Sequence, residues 1–355
     1  MLIKLPSYIP ETGNILWVVD ENGTADLSTI KPYESRSLVL SNRFDIYKAL
    51  ADAGINSVFS DFILPGAQRF DCIVYPVSKE KLVCKHILSC CSEWLKPGGT
   101  LVLTGKKNEG IKGWYDKLKK NMPANASLKK HGNDYIAKFI RDESNILSNE
   151  LDYHRFEHIA DLENLALYSK PGVFGWQKID EGSQFLLDIL KANRIDENNT
   201  DVNNKKILDL GCGSGFLAIS FIAPFAHAAA GMENIEVVAT DNNATAVLAT
   251  QENIQRNKLD EKPGLRFKVL ADDCAASLND KFDLILCNPP FHKGHATSSE
   301  LTEKFIAGAY RLLNKKGEAW FVVNSFIGVE RIAKRYFPSV ETVANNNQYK
   351  VLVLK

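Results

Sequence analysis

The tetrapeptide Asn288-Pro289-Pro290-Phe291, at the end of the apolar run Asp283–Cys287, places three groups side by side that can hold a planar amine. Two consecutive prolines cannot continue a strand ladder, so the chain must leave its sheet at Asn288 with carbonyls free of sheet partners. The Asn288 side-chain oxygen and the Pro289 carbonyl can then each accept one hydrogen of an amino group. An amine conjugated to a heteroaromatic ring is a poor nucleophile, because its lone pair is delocalised. Holding both hydrogens frees that pair to point at an electrophile. Phe291 can stack on the heterocycle, a contact worth roughly 1–3 kcal/mol in nucleic-acid sites. His292 can touch the same substrate or simply face solvent.

A second set lies upstream, where the strand-like Lys206-Ile207-Leu208-Asp209-Leu210 runs into Gly211-Cys212-Gly213-Ser214-Gly215 and then the helical FLAISFI. Glycines serve where a turn is tight and backbone must approach a ligand, and the following helix offers free N–H groups. Dinucleotide binding is the rival reading, but that fingerprint is G-x-G-x-x-G, and here the glycines alternate. With Asp209 they resemble the first motif of S-adenosylmethionine-dependent methyltransferases. The Asn-Pro-Pro-Phe turn resembles the catalytic motif of those that modify exocyclic or amide nitrogen. Asp241, ending VVATDNN, suits a cofactor ribose; the bland alternative is a cap for the helix beginning near Asn243. Of the pair Asp272-Asp273, Asp273 is the expected adenine partner and Asp272 the solvated one.

These residues need a sheet whose strand ends converge, and the chain supplies the pattern twice. Short β-rich runs alternate with helical stretches, as in βαβ units around a mostly parallel sheet. The expected strands are Ile15–Asp20, Ser37–Leu40, Ser57–Phe59, Cys72–Tyr75, Thr100–Leu103 and Tyr135–Phe139, then Ile207–Leu210, Glu236–Thr240, Phe267–Leu270, Leu284–Cys287, Glu318–Val323 and Tyr349–Leu354. The landmarks keep one order: NILWVVDENG matches KILDLGCGSG, RFDCIVYPVSK matches KFDLILCNPPFHK, and HGNDYIAKFI matches NNQYKVLVLK. An internal duplication follows. Residues 142–170 lack a strand rhythm and are expected to be a linker and docking element. EGSQFLLDILKANRI then carries Phe185, Leu186, Ile189 and Leu190 at helical spacing.

With P-G-V-F-x(5)-D-x-G-S-Q-x-L-L (Pro171 to Leu187), L-D-L-G-C-G-S-G and C-N-P-P-F-H in this order, the second half resembles the ribosomal RNA guanine-N2 methyltransferases, most of all their small-subunit (16S) C-type branch. The resemblance implies an α/β fold of two tandem Rossmann-like class I methyltransferase domains, the first degenerate: 1–141 without cofactor and 171–355 catalytic. It implies methyl transfer from S-adenosylmethionine to guanine N2 in 16S-type rRNA, with Asn288 and Pro289 as amine acceptors and Phe291 as base stacker. Asp209, Gly211, Gly213, Gly215, Asp241 and Asp273 form the cofactor shell, and Phe174, Gly182 and Ser183 close over its methionine end. Large-subunit rRNA, a protein glutamine amide and adenine N6 remain alternative acceptors, as does a non-catalytic RNA-binding assembly factor with a vestigial site. In the first half Trp17 stands at the position of Asp209, Val19 at Gly211 and Glu21 at Gly213, and only Gly23 keeps its partner, Gly215. Bulk and an extra carboxylate there exclude the cofactor. From Gly105 to His131 eight lysines face two acids, with Trp114 and Tyr115 interleaved; this is an RNA-phosphate patch or a solvated face.

Composition narrows the rest. At 355 residues and 45% hydrophobic content, two folded domains are expected. Lys plus Arg and Asp plus Glu both number 43, so there is no global field to hold a polyanion. The seven cysteines lack C-x-x-C spacing and nearby histidines, which points to reduced thiols and no metal. No membrane-length apolar run and no secretion signal are seen, so a soluble, cytoplasmic chain is expected, and a monomer is the separate expectation for its oligomeric state.

Overall fold

The computed structural model describes residues 5–20, 27–122, 125–142, 152–194, 203–226, 233–290 and 297–355. The chain divides into two compact units, Met1–Arg155 and Phe156–Lys355. The first holds β1 (Ile15–Val19), α1 (Leu27–Ile30), β2 (Ser37–Ser41), α2 (Phe44–Asp52), β3 (Ser57–Phe59), β4 (Phe70–Pro76), α3 (Lys81–Trp94), β5 (Leu95–Lys106), α4 (Ile111–Asn121), β6 (Ser127–His131) and β7 (Asp134–Ile140). The second opens with β8 (Glu157–Leu162) and β9 (Leu165–Ser169). It continues through α5 (Glu181–Arg194), β10 (Lys206–Leu210), α6 (Phe216–Ala226), β11 (Ile235–Asp241), α7 (Ala244–Arg256), β12 (Leu265–Ala271), β13 (Phe282–Cys287), α8 (Thr297–Leu312), β14 (Leu313–Asn324), α9 (Val329–Ala333), β15 (Val340–Asn345) and β16 (Tyr349–Leu354).

Each unit is built on a seven-stranded sheet, ordered β3-β2-β1-β4-β5-β7-β6 and β12-β11-β10-β13-β14-β16-β15. The first five strands of each run parallel, and the last two pair antiparallel at one edge. Both faces of the central strands are buried, which is why they read as continuous apolar runs. Alternation still sorts them: Ile15, Trp17 and Val19 enter one core and Leu16 and Val18 the other. All seven cysteines are free thiols. Among the described residues no helix is long and apolar enough to cross a membrane.

Register makes the duplication quantitative. Ile15, Leu16 and Trp17 pair with Cys72, Ile73 and Val74, as Ile207, Leu208 and Asp209 pair with Leu284, Ile285 and Leu286. Trp17 therefore does occupy the position of Asp209, and Pro76 that of Asn288. Trp17 is buried and donates its indole N–H to Ser37 Oγ at 3.0 Å. At this position a buried carboxylate in one unit corresponds to a buried aromatic ring in the other.

Two differences from the sequence expectation stand out. The edge strands β6 and β15 were absent from it, because each is polar and largely exposed. Part of the expected linker, residues 157–169, is the hairpin β8–β9, counted within the second unit. Its outer edge is satisfied by side chains of α7 and its C-cap. Asn253 accepts from Tyr168 N–H at 2.7 Å and donates to Tyr168 C=O at 2.8 Å, and Asn257 does the same to Ala166 at 2.9 and 2.8 Å. The spacing explains the match: four residues of helix rise about 6 Å, and two residues of strand about 6.6 Å. Two asparagines thus imitate a neighbouring strand.

Asn253 is fully buried and also donates to Ser214 C=O at 2.9 Å, tying the hairpin to the glycine turn. Asn253→Ala leaves three backbone groups without that partner, so denaturant unfolding should show a loss of about 2–4 kcal/mol; an unchanged midpoint would contradict the strand-imitation account.

Candidate active site

The carboxyl end of β10 opens into the glycine turn. Gly211, Gly213 and Gly215 have φ of +83°, +57° and +81°, the left-handed region that other residues adopt at a cost. At Gly215 a Cβ would come within 2.9 Å of the Thr250 side chain, so packing as well as backbone demands glycine. A Cβ on Gly213 would meet nothing within 4 Å. The middle glycine borders open space, as a ligand cradle requires.

Two carboxylates hold this turn. Asp241, ending β11, accepts from Gly213 N–H at 3.0 Å and from Asn243 N–H at 2.9 Å. The capping alternative goes to its neighbour: Asn243 is the N-cap of α7 and accepts from Thr245 N–H. Asn243 also donates to Gly172 C=O at 2.8 Å, bringing the Pro171–Gly172 turn to the end of β11. Asp209 is fully buried. Its Oδ2 accepts from Ala218 N–H, in the first turn of α6, at 3.0 Å, and its Oδ1 has no hydrogen-bond partner among the described residues. Burial pushes its pKa to about 7, partly offset by the Ala218 N–H, with the Asp241 carboxylate adding to the rise. Asp209 therefore positions the turn and α6.

At the end of β12 the two aspartates are reversed from the solvent exposure expected. Asp272 is the buried one and accepts from Ser277 N–H and Oγ–H. Asp273 is the accessible one, paired with Lys304 Nζ at 3.2 Å. One turn of alternation decides which of two adjacent carboxylates faces inward, and the chain bends there, with Cys274 and Ala275 both at positive φ.

β13 ends at Cys287 and leaves the sheet at Asn288, as the prolines require. The Asn288 amide nitrogen donates both hydrogens, to Asp180 Oδ2 at 2.7 Å and Ser183 Oγ at 2.8 Å. A carboxylate only accepts, so the amide must turn its nitrogen toward Asp180, and its Oδ1 is the atom left for another donor. Asp180 is held in turn by Ser183 N–H at 2.8 Å, a bond of the N-cap kind at the start of α5. A Cβ on Gly182 would come within 3.0 Å of the Tyr349 ring and 3.1 Å of Asp180 Oδ2, so glycine lets this clasp close. Asp180 stands in the motif from Pro171 to Leu187 and is a cap-type residue before an amphipathic helix, but it was given no role among the candidate site residues. Phe174 lies in the preceding loop, 69% exposed. Phe291 and His292 lie outside the described residues.

The structure thus brings Asp209, Gly211, Gly213, Gly215 and Asp241 into one turn, and Asn288 with Ser183 and Asp180 into one clasp, on adjacent strands of the same sheet edge. Residues 164–353 match the family Methyltransferase small domain, and residues 13–130 match Methyltransferase small domain N-terminal. The ribosomal RNA small subunit methyltransferase C of Buchnera aphidicola is 30% identical over 292 residues, 80% of this chain and 76% of that one. Its Shewanella amazonensis counterpart is 28% identical over 292 residues, 81% and 78% of the two chains. The chain belongs to the ribosomal RNA small subunit methyltransferase C family. A T. thermophilus 16S rRNA N2 methyltransferase, solved with AdoMet and guanosine, superposes with a TM-score of 0.80 over 98% of this chain and 90% of that one; at 22% identity it shows a shared fold.

For a member of this family the buried Asp209 carries a measurable cost. Its folded pKa lies above the ordinary 3.8, so between pH about 4 and 7 the folded state keeps a proton that the unfolded state releases. Stability therefore falls as pH rises through that window and levels off above it. Asp209→Asn keeps an acceptor for Ala218 and removes the titration. Denaturant unfolding from pH 4 to 8 should show the variant losing less stability than the parent, by at most about 4 kcal/mol; parallel curves would refute the burial argument.

Proposed function

We propose that the chain transfers a methyl group from S-adenosylmethionine to the N2 amine of a guanine in 16S ribosomal RNA, acting as a monomer in the cytoplasm. The observation that carries this reading is the Asn288 amide, whose two N–H groups are committed and whose oxygen is thereby aimed by chemistry at an incoming donor.

The residues fit the cofactor. The space beside Gly213 admits close approach to backbone, Asp241 lies at the strand end suited to a ribose, and Asp273 is accessible where an amino group needs an acceptor. When bound, S-adenosylmethionine supplies an electrophilic methyl group on a sulfonium. Asn288 Oδ1 and the Pro289 carbonyl accept the two hydrogens of the guanine amine and hold its nitrogen so that the lone pair leaves the ring plane. The charge-assisted bond to Asp180 polarises the amide, which strengthens Oδ1 as an acceptor while positive charge builds on nitrogen. The nitrogen–carbon bond forms as the sulfur–carbon bond breaks, and the alkylated amine loses one proton to water. Catalysis here is positioning and charge arrangement. A guanine within RNA structure must be swung out to reach Asn288. Phe174, in the loop after Pro171, is assigned to close over the cofactor, and Phe291 is assigned from its type to stack on the base.

RNA phosphate is assigned to the lysine-rich face of the first unit. α4 buries Ile111, Trp114 and Leu118 and exposes Lys112, Lys117, Lys119 and Lys120; Lys129 and Lys130 are exposed on β6. Trp114 is thus a core residue, with Lys117 Nζ 4.8 Å from its ring centroid. A shallow depression of about 490 Å³ is lined by Lys106, Lys107, Asn108 and Asn133. Among the described residues none of these lysines is ion-paired to an acid, which leaves their charge for phosphates.

Tritium transfer to 16S rRNA should drop by at least about 10²-fold in Asn288→Ala, with cofactor affinity by calorimetry within a few-fold of the parent. Asp180→Asn, which preserves an N-cap oxygen but not the charge, should keep the melting temperature and still slow transfer about tenfold; full activity in either variant would defeat the amine-clasp mechanism. Lys117→Ala with Lys119→Ala should weaken RNA binding and flatten its salt dependence, leaving cofactor affinity unchanged.

A further inference from the structure

The first unit has lost its glycine turn, yet the edge of its sheet is not an empty remnant. Ser41 pairs with Phe59 as Asp241 pairs with Ala271, and Ser60 N–H reaches Ser41 C=O as Asp272 N–H reaches Asp241 C=O. Asp61 therefore stands at the position of Asp273. The helices correspond as well. Phe70 pairs with Leu95 as Phe282 pairs with Leu313, and His86 precedes Leu95 by the same number of residues as Lys304 precedes Leu313. In the second unit Asp273 and Lys304 meet each other. In the first, Asp61 and His86 meet a third residue between them.

That residue is Tyr153. Its ring lies flat on the His86 imidazole, centroids 4.0 Å apart and planes 12° from parallel. Its hydroxyl donates to Asp61 Oδ1 at 2.8 Å. His154 stands edge-on to the tyrosine ring at 5.3 Å and to His86 at 4.9 Å. Tyr153 is 1% exposed, Asp61 1% and His86 4%. A flat ring, stacked on one face and held at its polar tip by a carboxylate, is the manner in which a protein grips a nucleobase. Tyr153 also belongs to the chain that leaves the first unit, beyond β7 and outside the duplicated fold.

We propose that the first unit keeps a ring-binding pocket at the edge where its twin carries Asp273, and that Tyr153 fills this pocket as an internal ligand. The pocket suits a planar ring bearing a hydrogen-bond donor. Its occupation in cis shuts nucleotides out of the first unit and fastens the exit of the chain to the segment after β3 and to the middle of α3. The comparison with the second unit rests on reading Asp273 as a cofactor residue; the pocket's own geometry does not.

The test uses the full-length chain and hydrogen exchange by mass spectrometry, read on peptides of β1, β3 and β4, so that it is independent of methyl transfer. Tyr153→Ala should raise exchange there at least tenfold. Millimolar 4-methylphenol, which carries the lost phenol ring, should restore most of that protection and leave the parent protein unaffected, as a cavity recovers an aromatic of about its own shape. Toluene, which lacks the hydroxyl, should restore less. Unchanged exchange in Tyr153→Ala, or equal rescue by toluene and 4-methylphenol, would overturn the proposal. Should that variant fail to fold, Tyr153→Phe keeps the ring and loses the bond to Asp61. Its effect on exchange should shrink in an Asp61→Asn background, and strictly additive effects would equally overturn it.

Discussion

The commitment of both Asn288 amide hydrogens to Asp180 and Ser183 is the constraint on which the catalytic reading depends. A free asparagine amide presents a donor and an acceptor with equal ease, and a donor turned toward an amine would repel it. Locking the orientation requires an acceptor-only partner, and Asp180 is one. Asp180 is itself fixed because the N-terminus of α5 needs a cap and Ser183 N–H supplies the bond. Helix capping, a local stability device, thus sets the orientation of the Asn288 amide at the end of β13, and Gly182 leaves room for the contact beside Tyr349.

The cofactor side follows a different logic. There the carboxylates work on backbone: Asp241 holds Gly213 and Asp209 holds Ala218, so the turn is stretched between two strand ends and the start of α6. The arrangement stores cost, since Asp209 is buried beside a second negative group and its proton affinity rises in consequence. The first unit shows the same scaffold with different side chains at these positions. Trp17 replaces the buried carboxylate with apolar bulk and a neutral hydrogen bond, and Val19 fills the place of Gly211. Core has been exchanged for site, as the opposition between stability and function anticipates.

The legible parts were those governed by periodicity and steric prohibition. Every strand expected from its apolar run is present, because central parallel strands buried on both faces read as short Val/Ile/Leu-rich runs bounded by turn residues. The departure of the chain at Asn288 was legible because prolines forbid the ladder. What escaped were features whose partner lies far along the chain. Among the described residues β8 and β9 pair only with each other, and asparagines of α7 and its C-cap, 85 and 91 residues away, stand in for a neighbouring strand. The edge strands β6 and β15 are exposed and polar, so no alternation marked them. The order of Asp272 and Asp273 depended on one bend with two residues at positive φ, which composition does not announce. Trp114 looked interleaved with lysines in sequence, but helical spacing from Ile111 to Leu118 turns it into the core.

The two units together separate what the fold needs from what the chemistry needs. Both keep the same strand order and registers, so neither glycine turn nor Asn-Pro-Pro exit is required to build the sheet. In the second unit, open space borders Gly213, and the residues around it are held by bonds to their own backbone and to each other. In the first, the corresponding edge is closed by Trp17, Val19 and the stacked pair His86 and Tyr153. An open carboxyl edge is tolerable only where binding a ligand returns the surface left unburied. In the first unit the chain buries that edge with its own aromatic side chains.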